Sequence, residues 1–370
     1  MNVEFPLRDG FFRPLDCSSE DAARWKALAQ RLVEQSLAAE RPFVATSYQH
    51  VDSRRWKLLK EKEQLRVYLP RGRRRVVPPS IDSDDGKNTH GVMAVGSIEG
   101  TLEDVVYGVH HTRTEDMRAT TAFLSSDALD CAVLHEFERG TAADPFRSLA
   151  VKWRILKTPG GSLMKNRDGC VLEYMGIDVD SEGQRFAFHV VETFKHPICP
   201  PFHPRCSIRA DAHTRVIYRE LSPGRVGVFF MGDYSFGGLI PGIFARRTAA
   251  EIALSICKTV LCAEAKKLTT LALQRSPIFK NQLWTTTSAS ASASSRSVSS
   301  EASGMRTVSQ LLPGTSTDKC SICLGEPSYL HTMSWCKICG KTVCSKCRSR
   351  KYLLTDDGKL RIAWYYDRSL

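Results

Sequence analysis

Along the first 275 residues the spacing of apolar positions changes from helical to alternating and back again. Trp25, Leu28, Leu32 and Leu37 recur at helical spacing over residues 18–40, with Ser18 or Ser19 available as a cap and Glu20 and Asp21 in the first turn. Residues 54–69 mix Trp56, Leu58 and Leu59 with charges and end in Leu65-Arg-Val-Tyr, a predicted strand. Residues 71–88 read as a polar loop, basic at Arg71 and Arg73–Arg75 and acidic later. Val92–Ile98 alternates as a strand, Thr101 with Glu103 and Asp104 opens a helix, and Thr114–Phe123 forms a second.

Period-two alternation then takes over. Val133, His135 and Phe137 share one face, and Leu149, Val151, Trp153 and Ile155 share another, with Lys152 and Arg154 opposite. Asp168–Val179 and Arg185–Phe194 are joined by Asp180-Ser-Glu-Gly, and Thr214–Leu221 and Arg225–Tyr234 by Ser222-Pro-Gly, so both pairs read as hairpins. Pro241 begins a helix running to about Leu273, with Ile252, Ile256, Val260 and Ala263 on one face. The fold class is therefore α+β: an antiparallel sheet closed by a long C-terminal helix that buries its apolar face on the sheet's concave side.

The pattern stops at residues 285–304, which hold nine serines and no large apolar residue except Val298. Such a segment buries too little surface to offset the entropy of ordering it. The expected organisation is a large domain over 1–275, a Ser/Ala/Thr-rich linker over 276–318, and a small module over 319–370.

Thirteen cysteines are divided between these regions. Seven are scattered singly through the first 262 residues and read as small buried hydrophobes. Six form the pairs Cys320/Cys323, Cys336/Cys339 and Cys344/Cys347. Two thiolates two residues apart present both sulfurs to one tetrahedral ion, and two such knuckles close a structural zinc site. Only four residues separate the second pair from the third, so neighbouring pairs are expected to serve different ions. Cys320, Cys323, Cys344 and Cys347 form the complete Zn2+ site, and Cys336 and Cys339 half of a second. No thioredoxin-like strand and helix surround any pair, which argues against redox chemistry.

Charge adds a partner class. The net charge is +12, and residues 319–370 carry ten Lys or Arg against four Asp or Glu. A basic module implies an anionic partner, a membrane face or nucleic acid. The N-terminus has no secretory pattern and no stretch reads as a spanning helix, so a cytoplasmic protein is expected. No phosphate loop, nucleophile elbow or metalloprotease motif is present, so no catalytic residue is assigned. His110-His111 point about 100° apart if helical, unsuited to one ion. His196, Cys199, His203 and Cys206 sit among four prolines and read as an irregular loop.

The run Trp335-Cys-Lys-Ile-Cys-Gly-Lys-Thr-Val-Cys-Ser-Lys-Cys-Arg348 resembles the centre of a FYVE-type zinc finger. That resemblance implies two zincs and recognition of phosphatidylinositol 3-phosphate on endosomal membranes. Three departures accompany it. The basic patch is replaced by Met333-Ser-Trp-Cys-Lys337, the Trp-x-x-Asp element survives only as Asp318, and a fourth cysteine pair is absent from the sequence given. The headgroup-facing residues would be Lys337, Arg348, Arg350 and Lys351, with Trp335 at the interface, and specificity for that lipid is expected to be weak. A RING reading lacks its Cys-x-His-x2-Cys centre.

The pieces Arg54-Arg-Trp-Lys-Leu-Leu-Lys60, the helix pair after Gly100, the hairpins and the closing helix resemble a START-like lipid-binding domain. This implies a helix-grip fold with an internal apolar pocket and no catalysis. Its lining is expected from Trp153, Phe186 and Phe188 on the sheet, facing Ile252, Ile256 and Val260 on the helix. The expected partners are a lipid and an anionic, endosomal membrane surface. The alternative is a protein-interaction adaptor with a filled scaffold. Nucleic acid is the weakest of the three.

Overall fold

Ser18 is the residue that caps the first helix: its hydroxyl accepts from the Asp21 N–H at 3.0 Å, and α1 runs Ser19–Val44. The computed structural model describes residues 3–72, 75–78, 89–158, 164–196, 199, 202, 206–275, 319–328, 332–336, 340–354 and 360–366. The chain divides into two units, Met1–Glu264 and Ala265–Leu370. The expected linker, 276–318, lies outside the described residues.

The first unit is built on one sheet of ten strands: β1 (Trp56–Lys62), β2 (Leu65–Pro70), β3 (His90–Glu99), β4 (Ala128–Arg139), β5 (Ser148–Leu156), β6 (Asn166–Val179), β7 (Arg185–Thr193), β8 (Ser207–Arg209), β9 (Asp211–Ser222) and β10 (Arg225–Ser235). The order is β1-β2-β3-β10-β9-β7-β6-β5-β4, antiparallel throughout, with β8 alone pairing parallel to β6. The chain enters at one edge and crosses through α2 (Leu102–Val109) and α3 (Thr114–Leu124) to the other. It then returns strand by strand until β10 pairs with β3. Thr101 caps α2, accepting from the Asp104 N–H at 3.1 Å.

The sheet extends beyond the sequence reading at one edge. Trp56–Lys62 is a strand in its own right, paired with β2 around a bulge between Leu58 and Lys60. Its leucines and lysines do not alternate cleanly, which hid it. The closing helix is likewise not continuous. α4 (Gly242–Leu254) gives way to a 3₁₀ turn, Ser255–Lys258, before α5 (Thr259–Arg275). α2 lies against this break, since a Cβ on Gly108 would fall 2.0 Å from the Thr259 carbonyl oxygen.

The two faces of the sheet carry separate cores. On one, α1 and the N-terminal segment cover Trp153, Phe186, Phe188, Leu172, Ile217 and Phe229. On the other, α2 and α4 cover Val92, Ala94, Val228, Phe230 and Tyr218. Buried Glu40 ties the end of α1 to the sheet, accepting from Arg219 at 3.0 Å and from the Tyr48 hydroxyl. An antiparallel sheet followed by a C-terminal helix on one of its faces is the α+β, helix-grip plan expected from the sequence.

In the second unit, β11 (Met333–Trp335) pairs with β12 (Thr342–Cys344), and β13 (Arg348–Leu354) with β14 (Leu360–Tyr366). Among the described residues no helix is long and apolar enough to cross a membrane.

Candidate functional site

Among the described residues, chemistry gathers at the cysteines of the second unit and, in the first, at a buried charge cluster and a cationic groove. In the second, a tight turn at Cys320 is closed by Leu324 N–H to Cys320 O (2.9 Å) and Cys320 N–H to Gly325 O (2.8 Å), with Leu324 at a φ of +57°. The strand β12 carries Cys344, and a following turn brings Cys347 back, its N–H donating to Cys344 O at 3.0 Å. The result places the Sγ atoms of Cys320, Cys323, Cys344 and Cys347 within 4.8 Å of one another. Cys323 Sγ and Cys344 Sγ lie 3.7 Å apart. A tetrahedral ion with metal–sulfur bonds of about 2.3 Å needs sulfur–sulfur edges of about 3.8 Å, so the four residues fit one.

The crowded sulfurs differ in acidity. Burial raises the Cys320 thiol, but N–H donors from Cys323, Cys344 and Ile322 outweigh it and bring it down to about 6. Burial and the neighbouring sulfurs push Cys347 up to about 12. Clustered sulfurs that cannot all ionise alone are stabilised together by a metal.

Cys336 repeats the first turn bond for bond. Gly340 N–H donates to Cys336 O and Cys336 N–H to Lys341 O, both at 2.9 Å, and Gly340 has a φ of +70° where Leu324 has +57°. The other half of this pair, Cys339, lies outside the described residues, as do Lys337 and His331. Trp335 is 43% exposed. Arg348 donates to Ser334 Oγ and, at 3.3 Å, to Thr332 Oγ1. The basic run behaves differently from its appearance in sequence: on strand β13, Arg348 and Arg350 share one face and Lys351 takes the other.

In the first unit the expected pocket lining is not assembled. Trp153, Phe186 and Phe188 belong to the core beneath α1, whereas Ile256, with partly buried Ile252 and Val260, belongs to the core on the opposite face. Alternation on β5 and β7 turns these aromatics to the opposite face of the sheet from α4, so the two groups do not face each other. Trp153 sits 5.0 Å from the Phe12 ring and 5.2 Å from Phe202, and donates from Nε1 to Asp168 at 3.3 Å.

Beside the apolar Met175 and Ala187, β5–β7 present a buried charge cluster on the helix-covered face. Lys152 and Glu173, each 1% exposed, form an ion pair. Arg154 also bonds Glu173, His189 Nε2 lies 3.5 Å away, and His111 Nδ1 is 2.9 Å from Lys152 Nζ. Burial opposes the Glu173 carboxylate, yet Lys152, Arg154 and His189 hold it well below the usual carboxylate range. Lys152 and Arg154 were legible in the sequence as the polar side of β5; their shared partner was not. His110 and His111 diverge: the His110 ring packs on Phe146.

A groove of about 1220 Å³ opens between β1–β3 and the connector leading into α4. Lys57, Lys60, Arg75, Arg246 and Arg247 line it together with Leu58, Leu59, Leu69, Leu239 and Ile243. Arg75, from the loop read as solvated, therefore contributes to it, while Arg73 and Arg74 lie outside the described residues. Burial first, and then the Arg246 charge, push the lining His90 imidazole down, favouring its neutral form. Sequence reading passed over this site, although Arg246-Arg247 after Gly237-Gly238-Leu-Ile-Pro241 and the Lys-Leu-Leu-Lys of β1 are visible signals.

No family model matches the chain, and no curated protein does. Similar solved structures include human StAR-related lipid transfer protein 5, at 17% identity over 64% of this chain and 97% of that one, with a TM-score of 0.40. Human STARD10 is 14% identical over 60% of this chain and 79% of its own, with a TM-score of 0.40. A STAR-related lipid transfer protein from Xanthomonas axonopodis is 18% identical over 56% and 96%, with a TM-score of 0.39.

Proposed function

We propose that this chain is a non-enzymatic lipid-binding protein whose START-like unit takes an anionic amphiphile in the groove beside α4. Its cysteine module would be folded by Zn2+ and associate peripherally with anionic, endosomal membranes. The observation that carries the lipid reading is the groove's composition. Cations from β1 and α4 surround leucines that line the same space, a pairing suited to a charged headgroup on an apolar body. In the module, the described cysteine cluster supports zinc through its four-sulfur donor set, one of the tetrahedral structural coordinations that ion takes. When bound, the ion would supply folding energy; Cys320, Cys323, Cys344 and Cys347 would hold it. The repeated turn at Cys336 supports a FYVE-like arrangement in which neighbouring pairs serve different ions.

A second reading is favoured by the packing of the sheet. Both of its faces carry dense cores, and a filled scaffold of this kind would suit a protein-interaction adaptor without lipid cargo. Mass spectrometry of lipids extracted from the purified full-length protein separates the two. The lipid reading expects an anionic amphiphile in stoichiometric amount, lost from Lys57→Glu with Arg247→Glu at exposed groove positions. Wild-type protein free of lipid would sink it and leave the adaptor.

A further inference from the structure

The connector between β10 and α4 is fixed by its neighbours, and it holds a leucine out into solvent. Gly237 and Gly238 have φ values of +61° and +59°, and a Cβ on Gly237 would come within 2.8 Å of Ile208 Cγ2 and 3.0 Å of the Arg209 carbonyl oxygen. Buried Arg167 donates from Nε to Phe236 O and from Nη2 to Gly237 O at 3.1 Å. The clamped connector presents Leu239 at 97% exposure, and the first turn of α4 presents Ile243 at 67%. Across the groove, β1 exposes Leu58 and Leu59. Single exposed apolar side chains are ordinary; four on the rim of one groove mark an interface.

The charges around these side chains select the partner. The groove lining contains five Lys or Arg and, among the described residues, no carboxylate. Lys60 is paired with Glu251, which lies outside the lining; Lys57, Arg246 and Arg247 are exposed at its edge. Apolar tips projecting from a cationic surrounding match a bilayer, whose acyl boundary takes the tips while its phosphates meet the cations. We propose that the α4 end of the sheet unit is a docking face for an anionic bilayer, with Leu239 and Ile243 entering the headgroup–acyl boundary and Arg246, Arg247 and Lys57 meeting lipid phosphates. The docking requires no lipid inside the groove, and it is a membrane contact separate from the basic strand of the cysteine module.

The test is co-sedimentation of the full-length chain with phosphatidylcholine vesicles containing phosphatidylserine, and with phosphatidylcholine alone. It is run in the wild type and in a chain carrying Arg350→Gln with Lys351→Gln, which weakens the other contact. Leu239→Ser with Ile243→Ser should lower partitioning about tenfold or more in both backgrounds. Because both side chains are exposed, the melting temperature should stay in place. Arg246→Gln with Arg247→Gln should lower partitioning about fivefold per charge, on anionic vesicles only. Wild-type partitioning by the double serine variant in the Gln background would overturn the proposal. So would binding of soluble polyglutamate by a wild type that ignores vesicles, which would assign the face to an acidic protein.

Discussion

Among the described residues between Met1 and Glu264, large apolar clusters lie on both faces of a ten-stranded sheet, with long side chains such as Trp153, Phe188 and Phe230 enclosed. In the cysteine unit the described cluster is Cys320, Val343 and Cys344, with Ile322, Met333 and Cys347 packed against it. The first interior holds itself by burial. The described cluster of the second is small, and three of its six members are sulfurs of the group that could hold a metal ion. The expectation is that a bound ion contributes much of the folding energy there, so that the stability of the first unit is spread over many residues and that of the cysteine cluster over few.

The largest expected effect comes from chelating any metal held by the four cysteines. Structural zinc in small modules contributes apparent binding energies of about 10–16 kcal/mol, so chelation should abolish the fold of the second unit and leave the first standing. Hydrogen exchange on the full chain should show β11–β13 losing protection while β5–β7 and β9–β10 keep theirs. Cys344→Ser should reproduce the effect, whereas Cys17→Ser should leave metal content unchanged. Loss of protection in both units together would show that the two interiors are not independent.

Within the sheet unit the largest single sensitivity should be Glu173. Glu173→Gln leaves Lys152 and Arg154 without their buried counter-charge, and breaking such a pair costs about 3–5 kcal/mol. The pH dependence carries a defined sign. A carboxylate held well below its usual range adds stability above the unfolded-state pKa, and that stability is lost as pH falls through the depressed folded value. Denaturant titrations of the first unit at neutral and acidic pH should therefore show a shallower acid decline in Glu173→Gln than in wild type. Equal slopes would mean the carboxylate does not titrate with folding.

A smaller effect sharpens the reading of the closing helix. Ile256 is buried in the core of the helix-covered face, so Ile256→Trp should overpack it and cost about 1–3 kcal/mol in thermal or urea unfolding. No change in midpoint would indicate an empty space next to the 3₁₀ turn. The smallest expected effect concerns the module's surface. Arg350→Gln should weaken binding to anionic vesicles by about 1 kcal/mol, fading as salt rises. Replacing another anion of equal charge by phosphatidylinositol 3-phosphate should change little, because Met333, Ser334 and Trp335 before Cys336 supply no cationic donors for its phosphates. Tight, salt-resistant binding to that lipid would contradict the account.

Much of the fold was legible because it is written in local patterns. Ser18 and Thr101 cap the helices expected of them, the hairpin turn at Asp180 stands between β6 and β7, and alternation marked β5, β7 and β10. The cysteine spacing likewise pointed to the four sulfurs that the fold gathers. What alternation cannot supply is which face a helix will cover. Trp153, Phe186 and Phe188 were correctly placed on one side of their strands, but that side meets α1 rather than α4. The partner of Lys152 is 21 residues away on the next strand, and only the pairing register of β5 with β6 brings Glu173 beside it. The groove was hidden for a related reason: its lining comes from β1, β3 and the start of α4, separated by up to about 190 residues of sequence, and β1 carries a bulge that blurs its period.

If one unit holds a lipid by its own fold while the other depends on a metal, native mass spectrometry of the full chain, before and after a chelator, reads both on one molecule. The expected chain carries one tightly held metal ion and one lipid, with the metal lost to the chelator and the lipid retained. A chain with no lipid under either condition, or one that sheds its lipid together with the metal, would contradict this reading.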